Sequence, residues 1–274
     1  MITKFIRSVK SATFAITFKD PAKMGMLTPI GTGFFVSPNG TFITAAHVIR
    51  DHSLSTPSPM DASSLILAKE PQTPMSDPGA APGCHAGETL EFLPEVDFAL
   101  LKFDFQANRH REWLAAQDGF PTVTVSRGPL EEGQEVFSFG YPLSASFITE
   151  DAQGEANVVF GHLTLSPRTT SAIVSSKFDL TRPVYTGADP VVYVLDKALN
   201  YGNSGGPIVS SSSGLVHAFC TRFQPVFIPQ PYIKDKAGKE IPVMMPSLYG
   251  IVTSLSHPAI IGALSRHDVT VSDQ

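Results

Sequence analysis

Short apolar runs, repeated along the whole chain, limit most strongly what this sequence can fold into. The runs are rich in Val, Ile, Leu and Phe, and Gly, Pro, Asn and Ser separate them. Long stretches of helical periodicity are nearly absent. Many short strands divided by turn residues are typical of a β-barrel or β-sandwich. We therefore predict an all-β fold.

The predicted strands fall into two halves of similar size. In the first half they lie near residues 12–18, 30–37, 41–44, 64–69, 89–93 and 97–103. In the second half they lie near residues 122–126, 135–140, 157–165, 171–175, 191–195, 207–210, 215–222 and 248–254. The interpretation is one domain over 1–274, with a first barrel (10–104), a linker (105–120), a second barrel (121–255) and a terminal helix (256–267). Residues 1–11 are interpreted as a short basic lead-in to the first strand.

Composition excludes several classes of protein. Hydrophobic residues make up 42% of the chain and charged residues only 16%, which favours a compact globular protein. The formal net charge of -5 gives no reason to expect a nucleic acid or an anionic membrane as partner. No apolar run approaches the roughly 20 residues of a membrane span.

The two cysteines, Cys84 and Cys220, are too few for the disulfide framework of a secreted protein. The apolar run after the basic lead-in is shorter than the core of a signal peptide. We expect free thiols and a cytoplasmic location. Cys84 and His85 lack further metal ligands at suitable spacing, so we expect neither a metal nor a cofactor.

A glycine-rich cluster around Ser204 predicts a chemical site. Gly202 lies two residues before this serine, and Gly205 and Gly206 follow it directly, which suits a tight loop that turns backbone N–H groups toward one point. A serine nucleophile also needs a base and a residue that orients the base. Candidates are His47, after the apolar run at 41–44, and Asp97, at the start of the strand at 97–103.

Three motifs together resemble the chymotrypsin-like (trypsin-fold) serine proteases. They are Thr-Ala-Ala-His at 44–47, Asp-Phe-Ala-Leu-Leu at 97–101 and Gly-Asn-Ser-Gly-Gly-Pro at 202–207. The order His, Asp, Ser along the chain is one of those known for this triad. Within the family the sequence is most similar to the bacterial HtrA (Deg) branch. The resemblance implies two six-stranded antiparallel barrels side by side, with the site in the cleft between them.

The family also implies a role for each matching residue. Ser204 would attack the substrate carbonyl, His47 would take its proton, and Asp97 would orient the imidazole. The backbone N–H groups of Gly202 and Ser204 would form the oxyanion hole, with Asn203 shaping the turn between them. Digestive members carry an aspartate in place of Asn203, which pairs with a new N-terminus after cleavage. Asn203 cannot make that ion pair, so we expect no such activation.

Cleavage preference is predicted from the position six residues before the nucleophile. Trypsin-type enzymes carry an acidic residue there, whereas this chain has Ala198. Without a buried carboxylate, a Lys or Arg side chain would be left unpaired, so we expect cleavage after small or medium apolar residues. The residues predicted to bind the substrate are Ala198, Leu199, Thr221, Arg222, Phe223 and Val252. Asp196 is expected to be structural.

Long insertions raise alternatives to simple proteolysis. We interpret residues 52–62, 71–87, 142–156, 166–190 and 224–246 as insertions between strands, and the last is predicted to be a hairpin arm. A regulatory protein could bind at 52–87 or 224–246, and a silent or partner-gated binding module on the same fold stays open. An acyl hydrolase of another fold usually has the order Ser, acid, His, which disfavours it. The chain ends soon after the second barrel, so we expect no PDZ domain.

Overall fold

The computed structural model describes residues 2–20, 26–69, 83–104, 119–142, 144–148, 161–177, 191–223, 226–234, 236, 238–245 and 249–274. The two helices are α1 (Ile2–Ala12) and α2 (Pro258–Arg266). The strands of the first half are β1 (Thr13–Asp20), β2 (Met26–Phe35), β3 (Thr41–Ala45), β4 (Leu65–Ala68), β5 (Gly83–Leu93) and β6 (Phe98–Phe103). Those of the second half are β7 (Val125–Ser126), β8 (Glu135–Gly140), β9 (Ala145–Ile148), β10 (Gly161–Thr164), β11 (Arg168–Ser176), β12 (Val192–Leu195), β13 (Pro207–Ser210), β14 (Val216–Phe223), β15 (Val226–Lys234), β16 (Glu240–Met245), β17 (Gly250–Ser254) and β18 (Val271–Ser272).

The first six strands close into a barrel in the order β1-β2-β3-β6-β5-β4. Its interior is aromatic: the ring of Phe35 stacks on Phe120 at 4.1 Å between centroids and meets Phe42 edge-on at 4.8 Å. The edge-on arrangement is one that aromatic pairs prefer. The predicted first barrel is confirmed, and five predicted strands fall close to the observed ones. The strand predicted at 89–93 belongs to the longer β5.

The second half is a curled antiparallel sheet. Pairings run β13-β8-β11-β12-β17-β14, and β13 also pairs with β14, which completes a circuit of six strands. The short strands β7 and β18 extend the sheet beyond β14 through parallel pairs. Strand β7 is shorter than the predicted strand at 122–126. A separate buried cluster that includes Tyr193, Ile208 and Val252 fills this half.

The first residues of the chain correct the sequence analysis. Residues 1–11 were expected to be a basic lead-in, but residues 2–12 form the helix α1. Its apolar residues recur at helical spacing, and Val9 and Ala12 are buried against the protein. Lys69, which is 9% exposed, donates from Nζ to the carbonyls of Lys10 and Ser11 at 2.5 and 2.9 Å. These bonds satisfy carbonyls that a helix end leaves unpaired.

The insertions are described only in part. Residues 226–234 and 240–245 pair as the predicted hairpin arm, so that prediction is confirmed. The predicted insertion at 142–156 contains β9, where a loop was expected. The predicted insertion at 166–190 contains β11, which is longer than the strand expected at 171–175. The predicted linker is described only at residues 119–120, and most of the insertion at 71–87 also lies outside the described residues. None of the helices in the described part of the chain is long and apolar enough to cross a lipid bilayer.

Candidate active site

Strand pairing in the first barrel brings His47 and Asp97 together. Ala45 pairs with Phe98 at the end of the β3–β6 ladder, so the residues just beyond these two strand ends are neighbours. His47 lies in a 3-10 turn over Ala46–Val48, which follows β3 directly. The Ala46 N–H donates to the Asp97 carbonyl at 2.9 Å, which extends the ladder into the site.

The Asp97 carboxylate holds the His47 imidazole. His47 Nδ1 lies 2.8 Å from Oδ2 and 3.0 Å from Oδ1, and the His47 backbone N–H donates to Oδ1 at 2.9 Å. A carboxylate at Nδ1 favours the tautomer with the proton on Nδ1, which leaves Nε2 free to accept a proton. The His47 side chain is 42% exposed and the Asp97 side chain 29%, so the imidazole faces solvent while the carboxylate lies further inside.

Asp97 occupies an unusual backbone conformation. Its φ of 53° lies in the left-handed region, where Asp and Asn are enriched over other residues with side chains. This residue ends the 3-10 turn over Pro94–Val96 and precedes β6. The left-handed turn therefore places the carboxylate at the mouth of the strand, as the sequence predicted.

Hydrogen bonds fix the peptide groups of the loop around Ser204. The Asn203 N–H donates to the Asn200 carbonyl at 3.0 Å, and the Gly206 N–H donates to the Asn203 carbonyl at 2.8 Å. The Gly205 N–H donates to the Cys220 carbonyl of β14 at 2.6 Å. Among the backbone hydrogen bonds of the described residues, the N–H groups of Gly202 and Ser204 donate to none. These are the two donors predicted to form an oxyanion hole.

Positive φ angles make two glycines of this loop necessary. Gly202 has φ 95°, and a Cβ added there would lie 2.5 Å from the Tyr141 carbonyl oxygen. Gly205 has φ 83°, and a Cβ there would overlap the Thr32 carbonyl oxygen. Any other residue would strain the backbone and push the loop away from its neighbours.

The loop of the second half lies directly against the first barrel. The Thr32 N–H of β2 donates to the Ser204 carbonyl at 2.8 Å. A Cβ added at Gly31 would come within 3.0 Å of that same carbonyl and 2.6 Å of Val48, the residue after His47. The backbone of the nucleophile candidate and the residue after the base candidate therefore both lie beside Gly31. No hydrogen bond joins the described side chains of His47 and Ser204, and such contacts are often long in free enzymes.

Comparison with known proteins identifies the family. A family model of the trypsin-like peptidase domain matches residues 31–218, which is more than half of the chain and contains all three candidate residues. The chain belongs to the trypsin-like peptidases. This is the family that the three motifs predicted. Among curated proteins, none matches the sequence.

Two of the solved structures of similar fold are proteases of low sequence identity. The HtrA-type protease AlgW with a tripeptide has a TM-score of 0.55 and 17% identity, over 98% of this chain and 65% of that one. The active form of the Rv3671c protease from M. tuberculosis has a TM-score of 0.56 and 17% identity, over 98% of this chain and 86% of that one. The chain thus spans about 65% of the AlgW chain. At this identity the likeness shows the shared fold.

The predicted substrate-binding residues of this trypsin-like peptidase differ in exposure. Ala198 is partly exposed, whereas Leu199, Thr221 and Val252 are 2%, 5% and 0% exposed. Thr221 Oγ1 donates to the Ile251 carbonyl at 3.1 Å, so its hydroxyl is held inside the sheet. Of the described side chains in this set, only that of Ala198 is not buried. The side chains of Arg222 and Phe223 lie outside the described residues.

Asp196 and Asn203 each have surroundings that explain why the side chain is a carboxylate in one case and a neutral amide in the other. Asp196 Oδ1 accepts from the Ile173 N–H of β11 at 2.7 Å, so its carboxylate ties two strands together. That agrees with the structural role predicted for it. Asn203 is 3% exposed, and a Cβ added at Gly140 would lie 2.6 Å from its Oδ1. A neutral amide fills this tight space, where a carboxylate would be a buried charge.

Two further groups at the site were assigned no part in the predicted chemistry. Tyr201, directly before the loop, is 70% exposed. Cys220 is 1% exposed, and burial, together with the nearby Asp97 carboxylate, raises the pKa of its thiol well above the ordinary value. The thiol therefore stays protonated and serves as packing. Within the described residues, no cluster of three or more His, Cys, Asp or Glu side chains could hold a metal ion.

Proposed function

We propose that this peptidase cleaves protein chains through a Ser204–His47–Asp97 triad and an acyl-enzyme. The observation that carries the proposal is the pairing of His47 Nδ1 with both Asp97 oxygens, at 2.8 and 3.0 Å, beside a loop with two N–H groups left unpaired by the backbone. A base with its orienting acid, a nucleophile and two aligned donors are the parts that acyl transfer needs.

Each step can be assigned to an atom of the chain. Ser204 Oγ forms a bond to the substrate carbonyl carbon, and its proton passes to His47 Nε2. The N–H groups of Gly202 and Ser204 stabilise the negative charge on the carbonyl oxygen, a contribution typically worth about 100-fold or more in rate for each donor. The C–N bond then breaks as Nε2 returns the proton to the leaving amine. Water attacks the acyl-enzyme by the same route in reverse, and Ser204 is regenerated.

Ala198 supports a preference for small or medium apolar residues before the cleaved bond. It is partly exposed six residues before Ser204 and carries no charge. A substrate Lys or Arg placed there would lose hydration without gaining a partner. Peptide substrates agree with the description of AlgW, whose structures hold a tripeptide or a decapeptide.

Activation by an N-terminal ion pair is not part of the proposed mechanism, because Asn203 lacks the charge. Control by a partner protein at residues 52–87 or 224–246 stays a prediction, as does the cytoplasmic location. The described part of the second region is a β-hairpin, which could carry such a contact.

Cleavage of a peptide library by the purified protein tests the proposal. We expect wild type to cut after Ala, Val or Leu, and Ser204→Ala to cut nothing while keeping the same thermal midpoint. In the matched variant Ala198→Asp we expect a shift toward Lys and Arg. Equal cleavage by wild type and Ser204→Ala would contradict the role of Ser204, and an unchanged preference in Ala198→Asp would contradict the specificity.

A further inference from the structure

Thr32 is a buried side chain that contacts the Ser204 loop, although no motif singled it out. It lies in β2 of the first barrel with no exposed surface. Its hydroxyl donates to the Gly202 carbonyl at 2.5 Å and accepts from the Tyr141 N–H at 3.1 Å. Because the Tyr141 N–H can only donate, the single hydroxyl proton must go to Gly202. The direction of both bonds is therefore fixed.

The backbone of Thr32 adds a second hold on the same loop. Its N–H donates to the Ser204 carbonyl at 2.8 Å. Thr32 thus fixes the peptide group after Gly202 and the peptide group after Ser204. Between them, the peptide after Asn203 is fixed by the Gly206 N–H. The peptide after Asn203 carries the Ser204 N–H, and the Gly202 N–H belongs to the peptide before Gly202. The peptide that the Thr32 hydroxyl holds therefore lies between the two donor peptides.

Thr32 is also tied to the strand that leads to the base. Thr44 Oγ1 of β3 donates to the Thr32 carbonyl at 2.8 Å, and Thr44 lies three residues before His47. One residue therefore links the strand of the base to the loop of the nucleophile, across the boundary between the two halves. Gly202 has φ 95°, and glycine allows many peptide orientations, so the loop needs an external hold of this kind.

We propose that Thr32 is a positioning residue, whose hydroxyl holds the peptide group between Gly202 and Asn203, and with it the donor peptides on either side, so that the Gly202 and Ser204 N–H groups face the reacting carbonyl. This inference rests on the proposed function, because it assigns the hydroxyl a task in that same reaction. Donors at an oxyanion hole act only if they are aligned before the reaction. Loss of the hydroxyl should therefore slow the chemical step and leave substrate binding nearly unchanged.

Two substitutions at Thr32 separate the hydroxyl from the shape of the side chain. Thr32→Val keeps the β-branched shape and removes the hydroxyl, whereas Thr32→Ser keeps the hydroxyl. The control is Thr17→Val, because the Thr17 hydroxyl is also fully buried in the first barrel and donates to a backbone carbonyl, that of Ile66, at 2.8 Å. Its loss should cost similar stability at a place away from the loop.

The test measures kcat and KM on a peptide substrate, together with the thermal midpoint of each variant. We expect Thr32→Val to lower kcat at least tenfold with KM within about threefold of wild type, as loss of a transition-state interaction predicts. Thr32→Ser should restore kcat to within about threefold of wild type. Thr17→Val should lower the thermal midpoint by a similar number of degrees and leave kcat unchanged.

The outcomes separate failure of the inference from failure of the proposed function. A folded Thr32→Val with wild-type kcat, or a Thr32→Ser as slow as Thr32→Val, would overturn the inference alone. A folded wild type without activity would overturn the proposed function and the inference with it. Should Thr32→Val not fold, Thr32→Ala takes its place, since it also removes the hydroxyl, and the comparison with Thr32→Ser decides.

Discussion

Replacing Asp97 with Asn has an effect that the geometry predicts atom by atom. The His47 backbone N–H donates to Asp97 Oδ1 at 2.9 Å, so an amide in the same place must keep its oxygen there. Its NH₂ group then takes the place of Oδ2, 2.8 Å from His47 Nδ1. Because NH₂ only donates, Nδ1 becomes an acceptor and the ring proton moves to Nε2. A protonated Nε2 cannot accept the proton of Ser204.

The expected loss is large in rate and small in stability. The wrong tautomer in a triad of this kind lowers kcat by about 10⁴-fold. At about 1.36 kcal/mol for each factor of ten, that is about 5.4 kcal/mol of transition-state stabilisation. The backbone should not resist the change, because Asn also tolerates the left-handed φ of 53° at this position. Asp97→Ala lacks this advantage and is the poorer variant.

The assay compares kcat/KM of wild type and Asp97→Asn on one peptide substrate, with the thermal midpoint of each protein measured in the same buffer. Activity of Asp97→Asn within tenfold of wild type, at an unchanged midpoint, would refute the argument. It would mean that the hydrogen bonds around Asp97 do not set the tautomer of His47.

Three further substitutions test contacts that stabilise the fold. Gly205→Ala should lower the free energy of unfolding by about 1–3 kcal/mol in a denaturant titration, since φ is 83° and the new methyl would meet Thr32. Lys69→Met should lower it by about 1–3 kcal/mol, because two carbonyls at the end of α1 lose a charged donor. The Arg266 guanidinium donates to Glu91 at 2.8 Å and holds the pKa of Glu91 below its ordinary value. The Glu91 carboxylate therefore stabilises the fold at neutral pH, and this contribution is lost as acid protonates it. Glu91→Gln should therefore cost about 0.2–1 kcal/mol near pH 7, and the difference from wild type should vanish in acid.

Each of these has a result that would count against it. An unchanged denaturation midpoint in Gly205→Ala would mean that the loop can move to admit a methyl. The same result in Lys69→Met would mean that water satisfies the helix end equally well. A Glu91→Gln difference that grew as the pH fell would have the wrong sign for a carboxyl whose pKa is lowered by folding.

The fold and the triad candidates could be predicted because their signals are local. The apolar runs mark the strands, and Asp97 and His47 stand at the ends of two of them. Antiparallel pairing of β3 with β6 then brings these ends together. The glycines around Ser204 mark a loop with positive φ, which the structure shows at Gly202 and Gly205.

The helix α1 was missed although its signal was present. Ile2, Phe5, Ile6 and Val9 recur at helical spacing, but the basic residues between them suggested an exposed lead-in. The apolar face of α1 packs against the rest of the protein: Val9 is buried, and Phe5 lies against Gly214, in the turn between β13 and β14. A short amphipathic helix is marginal by itself and is stabilised by such packing.

Thr32 could not have been predicted from sequence. Within its own strand it is an ordinary β-branched residue between two glycines, which the strand pattern explains fully. Its contacts with Gly202 and Ser204 join residues about 170 positions apart in the chain. Only the packing of the two halves creates them.

Reaction with a fluorophosphonate, followed by mass spectrometry of the labelled peptide, tests the central claim most directly. The account predicts one adduct on wild type, located at Ser204, with none on Ser204→Ala and very slow labelling of His47→Ala. Absence of an adduct on well-folded wild type, or an adduct on another residue, would contradict it.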